Sequence, residues 1–110
     1  MKKGEIALVE LPQIGGREQY GTRLSIIMAA PTPEILIIIP LTSNKSALRF
    51  PFTLLLQPSS ANGLSEESIA LIFQLRAVDK CRAAQKIGTL EKEKLKEIEK
   101  SIGKMLEFQE

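Results

Sequence analysis

The chain has 110 residues, with 15 Lys and Arg against 13 Asp and Glu, a net charge of +2, and 44% hydrophobic and 25% charged residues. That length holds one compact unit, so residues 1–110 read as a single domain, and the balanced charge and ordinary composition exclude a nonspecific polyanion binder and a disordered chain. Histidine is absent and cysteine occurs once, at Cys81, which removes histidine-based catalysis, histidine or multi-thiolate metal sites and internal disulfides, and fits a reducing compartment.

Any chemistry must therefore run on Arg, Thr, Glu, Asp, Tyr or Lys. Met1-Lys2-Lys3 could open a signal peptide, but Glu5 and Glu10 interrupt the apolar stretch such a peptide needs. The longest apolar run, Ile35 to Leu41, contains Pro40 and is far shorter than the roughly 20 residues of a membrane helix. A cytoplasmic protein without a membrane partner is expected.

In chain order, residues 4–11 alternate imperfectly through Ile6, Leu8 and Leu11 and predict a strand with one buried face. Residues 12–22 carry Pro12, Gly15, Gly16 and Gly21 around Arg17, Glu18, Gln19 and Tyr20, the pattern of a polar binding loop. Leu24–Ala29 and Ile35–Ile39 predict a hairpin across Ala30–Glu34, and their lack of a polar face predicts cover on both sides. Leu41–Lys45 forms a polar tip. Phe50–Gln57 alternates Phe50, Phe52, Leu54 and Leu56 and reads as a strand closed by a turn at 58–63. Ser68–Leu75 reads as another strand, Ala77–Arg82 as one turn, and Ala84–Ile87 as a short strand.

Gly88-Thr89 begins the one helix, with Thr89 as its expected N-cap and Glu91 and Glu93 near its positive end. Leu95, Ile98, Ile102 and Met105 recur at helical spacing, while Lys92, Lys96, Lys100 and Lys104 form a row that reads as a solvated face. The order predicts an α+β fold centred on a small, strongly curved antiparallel sheet.

Three polar groups interrupt this pattern: Arg17–Arg23, Thr42–Lys45 and Gln74–Arg82. Loops at one end of a small sheet can converge. An arginine beside a hydroxyl suits a phosphodiester, because a guanidinium presents planar donors to phosphate oxygens and a threonine adds a neutral one. Arg23 and Thr42 are the candidates.

Several segments then match, in order, a known family. Lys3-Gly4-Glu5-Ile6, Val9-Glu10-Leu11, Gly16–Arg23, Pro40-Leu41-Thr42-Ser43, Gly63-Leu64, Ser68, Gln74–Lys80 and Ile87-Gly88 before a terminal helix together resemble the MazF/PemK toxins. The resemblance implies a small SH3-like antiparallel β-barrel with a C-terminal α-helix (MazF/PemK/CcdB-like), usually a homodimer. It also implies a toxin of a type II toxin–antitoxin system, neutralised by a cognate antitoxin. The implied activity is sequence-specific endoribonuclease cleavage of single-stranded RNA, often mRNA, by 2'-hydroxyl attack, with no metal and no cofactor. DNA would be met only indirectly, through an antitoxin complex.

Carried onto this sequence, the family's essential arginine and threonine fall on Arg23 and Thr42. Glu18 is a candidate for proton transfer, and Arg17, Glu18, Gln19, Tyr20, Ser43, Lys45 and Arg76 are candidate RNA contacts. For Arg76 and Asp79 two readings stand, a role with RNA or a buried structural pair; Tyr20 can stack on a base or cover the loop; Cys81 reads as inert packing. Leu24 stands where the family has proline, Arg17 where it often has serine or histidine, and the link 30–34 is shorter than in most relatives, so no relative's cleavage sequence carries over. The alternative is a noncatalytic barrel-fold binder, such as a gyrase inhibitor or a degenerate toxin that only binds its antitoxin.

Overall fold

The computed structural model describes residues 1–13, 15–16 and 19–108. Its elements are β1 (Glu5–Leu11), β2 (Gly21–Thr32), β3 (Ile35–Thr42), β4 (Thr53–Leu56), β5 (Ser68–Leu71), β6 (Arg76–Asp79), β7 (Ala83–Thr89) and α1 (Lys92–Met105). Single 3-10 turns lie at Lys45–Arg49, Ile72–Gln74 and Lys80–Arg82. All strand pairings are antiparallel, in the order β4-β5-β3-β2-β1-β7, with β6 also paired to β3. Among the described residues, no helix is long and apolar enough to cross a membrane.

The predicted hairpin is the centre of the sheet. Its strands extend further than the apolar runs suggested, leaving Pro33-Glu34 as the turn, and the Thr32 hydroxyl oxygen accepts the N–H groups of Glu34 and Ile35 at 3.2 and 3.1 Å. Pro31 is tolerated in β2 because the register shifts between Ala29 and Thr32, where a ladder bond is not required. Successive side chains of a strand point to opposite faces, and here both faces are covered. Ile26, Met28, Ile39 and Leu41 join one apolar cluster with Ile98 of the helix, while Ile27, Leu36 and Ile38 join another with Val9, Leu11 and Val78. That is why neither run shows a polar face.

The sheet curls without closing into a continuous ladder. Its edge strands are linked instead by the 58–64 loop, where Thr89 N–H donates to the Ala61 carbonyl at 2.8 Å. Loop and strand meet backbone to backbone: a Cβ on Gly63 would lie 2.2 Å from the Ile87 carbonyl oxygen, and one on Gly88 2.3 Å from the Asn62 carbonyl.

Four boundary expectations are corrected. The strand expected over Phe50–Gln57 is confined to β4, because Phe52 adopts φ +58°, outside the extended region. The strand expected over Ser68–Leu75 ends at Leu71, and the turn expected over 77–82 is instead β6 followed by a 3-10 turn. The strand expected over Ala84–Ile87 runs from Ala83 to Thr89. Thr89 is therefore the last residue of β7, paired with Glu5, and the helix starts three residues later. Glu91 occupies the N-cap position but caps nothing, since its carboxylate accepts from the Ser59 hydroxyl and the Asn62 amide across the loop.

The helix end was not read from the sequence. Phe108 N–H donates to Gly103 O at 2.9 Å and Glu107 N–H to Lys104 O at 3.1 Å, with Glu107 at φ +59°. This is a Schellman cap in which a glutamate holds the place glycine favours.

These contacts set three expectations for stability. Gly63→Ala should cost at least about 2 kcal/mol, since its φ of +71° and the Ile87 carbonyl both oppose a side chain, whereas Glu107→Gly should gain about 1 kcal/mol by relieving the left-handed residue; urea unfolding measures both. The hydrogen bond from Ser59 holds the Glu91 carboxyl below its ordinary 4.5, so its contribution is present above that pH and is lost as pH falls through the lowered folded value. Unfolding followed from neutral to acidic pH should show a shallower decline for Glu91→Gln than for the parent chain.

Candidate functional site

The ladder between β2 and β3 stops at Ser25 and Pro40. Beyond it β2 stays paired with β1 as far as Gly21, while β3 pairs with β5 at Leu41 and Thr42. The two central strands part at this end, each held by its other neighbour. Continuing the register by two residues sets Arg23 opposite Thr42, and both line one groove of about 190 Å³ together with Thr22, Leu24, Ser43 and Glu66.

The groove's polar groups are arranged by their neighbours. Arg23 Nε donates to the Tyr20 carbonyl at 3.1 Å, with Gly21 at φ +82° turning the chain between them. The Arg23 side chain makes no further hydrogen bond among the described residues, which leaves the four N–H of its two Nη groups for an anion. The Thr42 hydroxyl oxygen accepts the Asn44 N–H at 3.2 Å, so its proton remains free to donate. Leu24 is half-buried and paired with Leu8 in the β1–β2 ladder.

A second cavity, of about 200 Å³, opens beside the first and shares Thr42 as a wall. Gln19, Asn44, Arg49, Phe50, Phe73 and Gln74 line it. Gln19 N–H donates to Gln74 Oε1 at 3.0 Å and Arg76 Nη1 to the Gln19 carbonyl at 3.5 Å, so two residues around the β5–β6 junction hold the end of the glycine-rich loop.

The three polar groups converge only in part. Gln19, Tyr20 and Arg23, Thr42 and Ser43, and Gln74 and Arg76 come together, whereas β6 leads away from the groove and sets Asp79 opposite Ile35, at the far end of β3. The buried Arg76–Asp79 pair is therefore corrected: three residues apart on a strand, their side chains leave from opposite faces, and Asp79 is exposed. Its carboxyl is held below the ordinary range by the Cys81 N–H, which it accepts at 3.0 Å, and it in turn raises the Cys81 thiol. Cys81 is exposed, not packed. Lys45 is paired with Glu67, whose carboxyl it lowers, and Tyr20 is 52% exposed. Arg17 and Glu18 lie outside the described residues.

Sequence reasoning missed Glu66, Phe50 and Phe73 at the site and held Asn44 only as part of the Thr42–Lys45 polar group. Phe50 and Phe73 were absorbed into expected strands; the Asn44-Lys45-Ser46 spacing, in which Asn44 accepts the Ser46 N–H at 3.1 Å, was the available sign of a 3-10 turn presenting this wall. Among the described residues no three His, Cys, Asp or Glu side chains gather as a metal-binding group.

Residues 2–106 match the family model described as PemK-like, MazF-like toxin of type II toxin-antitoxin system. The chain is 27% identical over 106 residues to the Endoribonuclease MazF of Staphylococcus saprophyticus, covering 93% of this chain and 88% of that protein. Among solved structures it is similar to MazF from Deinococcus radiodurans, with a TM-score of 0.81 at 22% identity over 98% of this chain and 97% of that one. A mycobacterial endoribonuclease in complex with its cognate antitoxin gives a TM-score of 0.73 at 13% identity over 98% and 96% of the two chains.

Proposed function

The chain belongs to the PemK-like, MazF-like toxins of type II toxin–antitoxin systems, and we propose that it is an endoribonuclease cutting single-stranded RNA at short sequences by 2'-hydroxyl attack. The observation that carries this reading is the joint lining of one groove by Arg23 and Thr42, at the point where their strands separate. The name of the staphylococcal relative supports the reaction class.

In this reaction the ribose 2'-oxygen forms a bond to the adjacent phosphorus and the bond from phosphorus to the 5'-oxygen breaks. The 2'-proton passes to a base and a proton is delivered to the leaving 5'-oxygen. A 2',3'-cyclic phosphate and a 5'-hydroxyl result. The Arg23 Nη groups donate to the non-bridging oxygens, where charge builds in the transition state, and the Thr42 hydroxyl adds a further donor. A guanidinium gives up its proton reluctantly, so a carboxylate is the first candidate for taking the 2'-proton and proton transfer by Arg23 stays open. Deoxyribose lacks the nucleophile, so DNA is not cut.

In this reading Gln19, Tyr20, Ser43, Lys45 and Arg76 contact the RNA strand, together with Arg17 and Glu18, which precede Gln19 in the sequence. The working form in this reading is a homodimer held in check by a cognate antitoxin, the partner named for the mycobacterial neighbour.

Purified protein incubated with mixed-sequence single-stranded RNA in excess chelator should cleave and leave 5'-hydroxyl ends, and Arg23→Ala and Thr42→Ala should each lower kcat about 100-fold or more. A folded protein that cuts no member of a diverse RNA pool would instead be a noncatalytic binder. The base is read from pH–rate profiles: of Glu18→Gln and Glu66→Gln, the variant that loses the ascending limb identifies the carboxylate that takes the 2'-proton.

A further inference from the structure

We propose that Glu66 is the general base of the cleavage, taking the proton of the 2'-hydroxyl as that oxygen bonds to phosphorus; this rests on the ribonuclease reading above and names the carboxylate that acts there.

Placement is the first argument. Glu66 lines the same groove as Arg23 and Thr42, and among the described residues it is the one carboxylate that does so. Groups around a groove of about 190 Å³ can all face a single phosphodiester. Different elements bring them there: Arg23 from β2, Thr42 from β3, and Glu66 from the segment that enters β5, three residues before Ile69, which is paired with Thr42. The chain has no histidine, so a carboxylate is the side chain best suited to accept a proton near neutral pH.

The second argument is a contrast between two neighbours. Glu67 is committed, because Lys45 pairs with one of its carboxylate oxygens and Gln57 Nε2 donates to the other at 2.7 Å. Those contacts lower its carboxyl and occupy the charge of Lys45. The Glu66 side chain has neither an ion pair nor a hydrogen bond among the described residues. A base must reach its proton without first leaving a partner, and Glu66 meets that condition.

The third is a fixed support. The Glu66 carbonyl accepts the Ser68 hydroxyl at 3.1 Å, and Leu64 N–H donates to Asn62 Oδ1 at 2.9 Å. Leu64 and Ser68 are buried, so the exposed Ser65-Glu66 step is held from both sides. A carboxylate repels an incoming phosphate, which makes Glu66 a poor residue for binding alone and a useful one for the chemical step.

In that step the 2'-O–H bond breaks and its proton passes to the Glu66 carboxylate, while the electron pair left on the 2'-oxygen forms the bond to phosphorus. The bond from phosphorus to the 5'-oxygen breaks with its pair staying on that oxygen, which takes a proton from a separate donor. The neutral Glu66 carboxyl then returns its proton to water.

The test compares wild type, Glu66→Gln, Glu66→Asp and Glu18→Gln on an RNA that the wild-type protein cuts, and on the same RNA with sulfur replacing the bridging 5'-oxygen at the cut. A thiolate leaves without a proton, so the sulfur substrate repairs the loss of an acid and not the loss of a base. Glu66→Gln should lower kcat about 100-fold or more on both substrates and lose the ascending limb of the pH–rate profile, while Glu66→Asp keeps the limb. Its affinity for the same oligonucleotide with 2'-deoxyribose at the cut, which binds uncut, should equal or exceed that of wild type. Rescue of Glu66→Gln by sulfur makes Glu66 the acid and overturns the proposal. A Glu66→Gln profile that keeps its ascending limb, or a limb lost in Glu18→Gln instead, overturns it as well. Those outcomes leave the ribonuclease reading standing, whereas a folded wild-type protein that cuts no RNA overturns both.

Discussion

The molecule depends on one strand having three neighbours. Along one edge β3 is paired to β2; along the other it is paired first to β6, at Ile35–Ile38, and then to β5, at Leu41 and Thr42. The change of partner falls across Ile39 and Pro40, and the Ile72–Gln74 turn joins the two partners across that gap. Proline brings no N–H to a ladder, so it is tolerated inside a sheet only where no partner asks for one. Pro40 stands at such a place. Were β5 and β6 one continuous strand, Gln74 would not lie beside the loop end that it holds through the Gln19 amide.

Thr42 is the point where this architecture meets both cavities. It is held by β5 on its backbone and by the Asn44 N–H on its oxygen, so its hydroxyl is fixed by groups that a ligand does not displace. Arg23 is held in the same way, by β1 through its backbone and by the Tyr20 carbonyl through Nε. Preorganised donors of this kind need little rearrangement as charge builds on a phosphate. The two are brought together by a register set further down the hairpin, among Ile26, Ile27, Ile38 and Ile39, none of which is exposed.

Much of this was legible in the sequence, and the limits have physical causes. The apolar runs without a polar face announced a hairpin covered on both sides, because an alternating pattern disappears when both faces are buried. Arg23 and Thr42 were legible as a candidate pair, more strongly once the ordered motifs were set beside a known family, and they line one groove. Residues 68–79 were misread because a 3-10 turn that divides one apolar stretch into two strands leaves no mark in hydrophobic periodicity. Thr89 looked like a helix cap because threonine before glutamates carries that signal locally, but its pairing with Glu5 is nonlocal. The Arg76–Asp79 pair failed on strand geometry alone. Phe50 and Phe73 were hidden for the opposite reason: composition cannot distinguish a phenylalanine that fills a core from one presented at a cavity.

The parting of β2 and β3 beyond Ser25 and Pro40 also bears on motion. Residues 21–24 of β2 and 41–42 of β3 are each secured on a single edge of the hairpin's open end, whereas the segment two residues below lies in the most buried part of the protein. Local opening follows the density of buried contacts and shared hydrogen bonds. The exposed 21–23 tip of β2 can thus shift by small changes of twist while Leu41 and the isoleucine floor stay packed, and adjusting the groove around an incoming ligand does not draw on the stability of the whole molecule.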